Sequence, residues 1–220
     1  MGFNGNMSLE PVTVYFDYLC PFSWRVAELA EMIATPLGLE FQWQHFSLYQ
    51  SNYKGDAHWQ LWNDKFELES DNGSKGLLPF LASQAARRQG TAKSHTFRLA
   101  LMRSCHRDHQ RYTMNVILET AERVGLHMPT FESDIRDPEC RTALAREHHQ
   151  AAALDVFGTP TLHFEREMNN GHHSSQLAYL RIREIPANFE EAKDLFQTYR
   201  HLLAHHPYLE TIRRPRPRSN

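Results

Sequence analysis

The chain has 220 residues and a formal net charge of −2, from 24 basic and 26 acidic side chains. That length can bury one core with a sizeable insertion, without disulfide staples. So even a charge balance implies no broad cationic field for nucleic acid or anionic lipid, and three scattered cysteines make no disulfide framework.

In chain order, "MGFNGNMSLEP" has no basic segment followed by an apolar run, so no secretory signal is expected. No stretch approaches the length of a membrane span. The expected location is a reducing cytoplasm, where a lone exposed thiol is more often catalytic than structural. "VTVYF" alternates, with Val12, Val14 and Phe16 on one face, and predicts a strand. Pro21 suits the first turn of a helix, which needs no amide there. Val26, Leu29, Ala30 and Ile33 follow at helical spacing, and Thr35-Pro36 with Gly38 is expected to stop the helix. "LEFQWQHF" alternates again through Leu39, Phe41 and Trp43. Strand, helix, strand with so long a crossover predicts parallel pairing.

From Tyr49 the pattern becomes polar, aromatic-rich and poorly periodic, then helical. Phe97, Leu101 and Cys105 form one apolar stripe; Ile117, Ala121 and Val124 form another. "DPEC" predicts a helix with Asp137 as its cap and Pro138 at its first position, running towards Leu154. Residues 51–155 therefore read as a mostly helical insertion into a unit made of 9–50 and 156–206. "GTPTLHF" predicts a turn and a strand, "NNGHHSS" a loop holding His172 and His173, and "QLAYLRIREI" a second strand. Ala192, Phe196, Tyr199 and Leu203 give an amphipathic closing helix. Residues 207–220 form a basic, proline-broken tail, read as solvated.

Cys20 falls where the first strand hands over to the first helix. Helix-start amides have no internal partner and carry partial positive charge, which favours a thiolate. A lowered pKa and raised reactivity are expected for Cys20. Cys105 lies on an apolar stripe and reads as core. Cys140 sits near a helix start and reads as inert despite modest activation. Cys105 and His109 in "CHRDH" would share a helix face as two metal ligands, but no third or fourth ligand stands at a recognised spacing, so no metal is expected. Tyr53, Trp59, Trp62 and Phe66 are candidates for an aromatic lid over Cys20, or for packing of the insertion.

Phe16–Trp24, with "CPFS" at its centre, and "FGTPTLHF" from Phe157 together resemble the DsbA-like branch of the thioredoxin superfamily, FrnE-like oxidoreductases included. The resemblance implies an α/β thioredoxin-like fold split by helices, with a cis Thr159-Pro160 peptide facing the active cysteine. It implies that Cys20 and Ser23 are catalytic, and that Pro21, Phe22, Thr159 and Pro160 bind substrate. The residue before the proline would offer its backbone to an extended chain. Asp17 matches an acid found in relatives, and could tune the thiol or simply cap the turn.

Dithiol relatives carry cysteine at both ends of this motif, whereas this chain has Ser23 at the second. Serine cannot release a mixed disulfide, so an external thiol, glutathione or another of low molecular weight, must do so. Ser23 is read as hydrogen-bonding the thiolate. The expected activity is thiol–disulfide exchange on a disulfide-containing protein or a small thiol, with no tightly bound cofactor. Two alternatives stand beside it. One is a glutathione-dependent isomerase or transferase of the kappa/2-hydroxychromene-2-carboxylate type, whose members resemble this chain in the serine. "REIPANFEEAKDLF" lacks the Gly-rich helix start such sites often use. The other is a non-catalytic module that captures peptides beside Pro160.

Overall fold

The computed structural model describes residues 9–65, 73–167 and 173–212. Its four strands are β1 (Glu10–Phe16), β2 (Leu39–His45), β3 (Thr161–Glu167) and β4 (His173–Tyr179). They form one sheet in the order β2-β1-β3-β4. β1 and β2 run parallel, with Val12 opposite Phe41 and Val14 opposite Trp43. The crossover between them is α1 (Pro21–Leu37), with Pro21 in its first turn. β3 is antiparallel to both β1 and β4.

Alternation along β1 decides the two faces. Val12, Val14 and Phe16 are fully buried with Val26, Leu29 and Ile33 of α1 and Leu162 of β3. Each such side chain contributes roughly 1.5–3 kcal/mol by leaving water. Tyr15 points the other way, into a smaller cluster with Phe46, Ala151 and Val156.

The sheet's first two strands and last two are separated in sequence by helices α2 (Leu48–Ser51), α3 (Leu77–Arg87), α4 (Thr91–His106), α5 (Met114–Arg123), α6 (Met128–Asp134) and α7 (Pro138–Ala153). A short 3-10 turn spans Leu61–Asn63. Asp137 caps α7 through the Glu139 amide, as "DPEC" predicts. α8 (Phe189–His205) then packs Phe196 beside Phe41 and Phe164.

The helical layer is tied to the sheet by a buried polar network. Glu147 of α7 accepts from the His45 amide at 2.8 Å and from Gln84 Nε2 at 2.9 Å, and pairs with Arg87. Arg87 also donates to the Trp43 carbonyl. Burial holds the His45 imidazole down at about 4, so it is neutral at pH 7. Burial alone would raise the Glu147 carboxyl, but its contacts with His45 and Arg87 win and hold it well below the usual range.

Several expectations are corrected. Pro36 does not stop α1; it lies inside the last turn, and Gly38, at φ 64, caps the helix in the left-handed region. β4 is earlier than "QLAYLRIREI" suggests. It begins at His173, opposite Glu167, and ends at Tyr179, because the partner strand β3 starts only at Thr161. His173 thus belongs to a strand rather than a loop; His172 lies outside the described residues. α4 ends at His106, and His109 has φ 57, so Cys105 and His109 share no helix face. Among the described residues no group of three metal-ligating side chains forms. Of the tail, 213–220 lies outside the described residues, and 207–212 is exposed.

Candidate active site

Cys20 is the residue at which β1's turn becomes α1. Its backbone is extended, at φ −89 and ψ 113, and its carbonyl accepts the Ser23 amide at 3.0 Å. The preceding turn is closed by the Cys20 amide on the Asp17 carbonyl, 3.1 Å. Asp17 is fully buried. One carboxylate oxygen accepts from the Leu19 amide at 2.7 Å and the other from the Leu48 amide at 2.6 Å. Burial pushes its carboxyl up to about 6 despite those two donors. The Tyr18 carbonyl is held from the helical side by Tyr112 Oη (2.9 Å) and His106 Nε2 (2.7 Å). The loop carrying Cys20 is therefore pinned by α2, α4 and the segment between α4 and α5. Asp17 acts as a turn cap that also ties the loop to α2.

Across from this loop, the Thr159–Pro160 peptide is cis. Thr161 Oγ1 donates to the Gly158 carbonyl at 2.8 Å, and Leu180 N to the Pro160 carbonyl at 3.0 Å, fixing the turn before β3. Cys20 Sγ donates to the Thr159 carbonyl at 3.1 Å, spanning 139 positions of sequence. The sulfur takes no cap hydrogen bond from α1. It leans across to the facing turn instead of down onto the helix amides, which departs from the sequence expectation.

Between the two turns lies a groove of about 430 Å³. Cys20, Pro21, Phe22 and Thr159 line it, as do Leu19, Leu48, Phe157, Gly158, Tyr179 and Arg181. Pro160 is buried behind Thr159 and is not among the lining residues. Ser23 is fully buried too, and its hydroxyl accepts from the Asp17 amide at 3.4 Å. It braces the loop from beneath, in place of the expected bond to the Cys20 sulfur.

Among the described residues, none of the aromatic lid candidates Tyr53, Trp59 and Trp62 lines this groove. Tyr53 and Trp59 pack on each other with ring centres 4.2 Å apart, and Trp62 is buried against His148 and His149. Phe66 lies outside the described residues. Trp24 is a packing residue, stacked on His106 and bonded to Glu28.

The other two thiols are elsewhere. Cys140 is buried and donates to the Asp134 carbonyl at 3.2 Å; burial pushes it up to about 11, overriding its place near a helix start. Burial also raises Cys105. Neither lines the groove.

The groove residues that the sequence does not announce are Leu48, Tyr179 and Arg181 in particular. Leu48 arrives through its bond to Asp17, and the other two through the β3–β4 register. Phe157 does stand in the "FGTPT" stretch, and its position beside the turn was the available signal.

The model of the DSBA-like thioredoxin domain matches residues 11–180. No curated protein is significantly similar in sequence. Among solved structures, the fold is similar to a thioredoxin-like oxidoreductase from Silicibacter pomeroyi DSS-3, at TM-score 0.54 and 20% identity over 89% of this chain and 90% of that one. It is similar to the cytosolic disulfide reductase DsbM from Pseudomonas aeruginosa, solved with GSH, at TM-score 0.56 and 18% identity over 86% and 99%. It is also similar to a 2-hydroxychromene-2-carboxylate isomerase, at TM-score 0.59 and 15% identity over 91% and 100%.

Proposed function

The chain belongs to the DSBA-like thioredoxin domain family, and from that premise we propose that it catalyses thiol–disulfide exchange through Cys20 alone, each turnover being completed by an external thiol. The observation that carries this is the placement of Cys20 Sγ, 3.1 Å from the Thr159 carbonyl, at a groove that neither other thiol reaches.

The Cys20 thiolate attacks a disulfide R–S–S–R′; the R–S–S–Cys20 bond forms and R′S⁻ leaves. A small thiolate then attacks the sulfur of R, forming a new disulfide and releasing the Cys20 thiolate. Ionisation of Cys20 before the attack removes the proton that its thiol gives to the Thr159 carbonyl, and the mixed disulfide has none to replace it. The Thr159 carbonyl is then open to a backbone amide of an extended substrate, in the manner of strand addition. Pro21 and Phe22 form the near wall, and Pro160 backs the turn. Ser23 cannot resolve the intermediate, and neither the half-buried Cys105 nor the buried Cys140 lines the groove. Glutathione or a thiol of similar size serves instead. The P. aeruginosa neighbour, described as a cytosolic disulfide reductase and solved with GSH, supports that choice and a reducing compartment. Among the described residues, no helix is long and apolar enough to cross a membrane.

A non-covalent glutathione isomerase is less well supported by this geometry. The Ser23 hydroxyl is turned away from the groove, and the start of α8 is occupied by its own cap: Asn188 accepts from the Glu191 amide, while Glu191 accepts from the Ala187 amide. The test is turnover of hydroxyethyl disulfide with glutathione, followed by mass spectrometry of Cys20. Wild type is expected to turn over and carry a mixed disulfide, and Cys20→Ser to lose at least about 100-fold in rate. Retained activity in Cys20→Ser without any adduct would favour the isomerase. Retained peptide capture in Cys20→Ala, with no turnover in wild type, would favour a binding module.

A further inference from the structure

We infer that Arg181 makes the groove selective for small thiols and disulfides that carry a carboxylate. The inference rests on Cys20 exchange as proposed above and names the substrate class of that same site.

Arg181 stands two residues beyond the end of β4 and lines the groove that holds Cys20. Its guanidinium lies over the Phe22 ring, 3.9 Å from the centroid, and 5.9 Å from that of Tyr179. Two aromatic rings of the groove thus flank an exposed cation. Among the described residues no carboxylate pairs with it, and no acid lines the groove. A second cation, Arg25, stands over Phe22 at 5.3 Å and is fixed by its bond to the Ile182 carbonyl.

A guanidinium already held by stacking loses little side-chain freedom when it meets an anion, and its planar fork suits a carboxylate. At the start of α8, the Glu191 amide is already taken by the Asn188 side chain. Size favours a small molecule over a protein loop. About 430 Å³ is near the lower end of small-molecule sites, and Leu48 and Phe157 stand on its rim, Phe157 being 73% exposed. The carboxylate acts only through position. It docks the attacking thiol, or the disulfide, with its sulfur towards Cys20, and no proton or electron passes through Arg181.

The experiment begins from Cys20 as its hydroxyethyl mixed disulfide in the full chain. Its reduction is timed with 3-mercaptopropionate, 2-mercaptoethanol and cysteamine, in wild type and Arg181→Gln. For each protein the ratio of the 3-mercaptopropionate to the 2-mercaptoethanol rate constant is taken, so that intrinsic thiol reactivity and any loss of fold cancel between proteins. The ratio is expected to fall about fivefold in Arg181→Gln, the scale of one exposed ion pair, and the cysteamine ratio to rise. The wild-type ratio should fall towards that of the variant as salt is raised. A ratio unchanged within about twofold overturns the inference and leaves Cys20 exchange standing. An effect confined to a cysteine peptide with an acidic neighbour, absent from the small thiols, overturns it in favour of a protein substrate. A Cys20 that forms no mixed disulfide with any of them overturns the exchange mechanism, and the inference with it.

Discussion

Three cysteines of one chain illustrate how far environment governs a side chain. Cys140 stands two residues into a helix, where exposed amides would favour a thiolate. Its surroundings are apolar and acidic, and burial pushes it up to about 11. Cys105 is raised for the same reason, half-buried beside Tyr112. Cys20 is itself only 5% exposed, but what exposure it has opens onto the groove. The expected outcome of alkylation with iodoacetamide at pH 8 is selective labelling of Cys20. At that pH a thiol at about 11 holds a thiolate fraction on the order of one in a thousand, so Cys140 should label slowly and accelerate up to about pH 11. Peptide mapping against time reads all three rates, and faster labelling of Cys105 or Cys140 would remove Cys20 from its assigned role.

At the level of the element, α1 brings positions 20 and 23 together in its first turn but points them apart. Cys20 Sγ faces the Thr159 carbonyl, whereas Ser23 Oγ lies under the loop against the Asp17 amide. The first turn keeps the two backbones within disulfide range, so a sulfur at position 23 needs a side-chain rotation rather than a new helix. Ser23→Cys should therefore form a bond to Cys20 and pass electrons from a dithiol reductant to a disulfide substrate. With Cys105→Ala and Cys140→Ala in both proteins, Ser23→Cys is expected to exceed its parent at least about tenfold in insulin reduction by dithiothreitol, since it alone holds a resolving thiol. Equal rates would mean that Ser23 is not the missing half of the motif. The variant also gives up the Ser23–Asp17 contact, and a loss of about 1 kcal/mol in stability is expected beside the gain in activity.

Across the whole molecule, the join between sheet and helices is polar and sensitive to acid. His45 sits between β2 and α7. His148 accepts from the Ser47 amide at 3.2 Å and stacks on Phe46. Burial holds each at about 4, below its unfolded value of 6.5. Burial lowers His106 as well. As pH falls through 6.5, the unfolded chain takes up protons at these histidines that the fold refuses, so stability falls on acidification. Asp17 has the opposite sign. Raised to about 6 from 3.8, it takes up a proton in the fold before the unfolded chain does, and so stabilises the fold as pH drops between those values. Two protons from His45 and His148, less one from Asp17, leave a net excess of about one on the unfolded side near pH 5, to which His106 adds. The slope is then about 1.4 kcal/mol per pH unit or steeper. Asp17→Asn removes the opposing proton and should steepen it by about as much again. Urea unfolding of both proteins between pH 6 and 4.5 reads this directly, and an unchanged slope would contradict a raised Asp17.

Much of this was written locally. Alternation in "VTVYF", the proline after Cys20, the apolar stripe of α1 and the cap in "DPEC" depend on neighbours within a turn or a strand, so the sequence alone determines β1, α1 and the start of α7. "CPFS" and "GTPT" likewise marked two sides of the groove, which Cys20, Pro21, Phe22, Gly158 and Thr159 line. The sequence could not decide which way a side chain points once two distant segments meet. Ser23 turned to Asp17, Cys20 to Thr159, and Tyr53 and Trp59 to each other. Those choices follow from the packing of α2, α4 and the β3 turn around one loop. Arg181 reached the groove only because β4 begins at His173 and ends at Tyr179, a register set by hydrogen bonds to β3. A shift of one residue would have sent Tyr179, the last residue of that ladder, to the other face. Local periodicity fixes which residues form a strand or helix; only the tertiary structure, through long-range pairing and burial, decides which of them share a site and in what charge state.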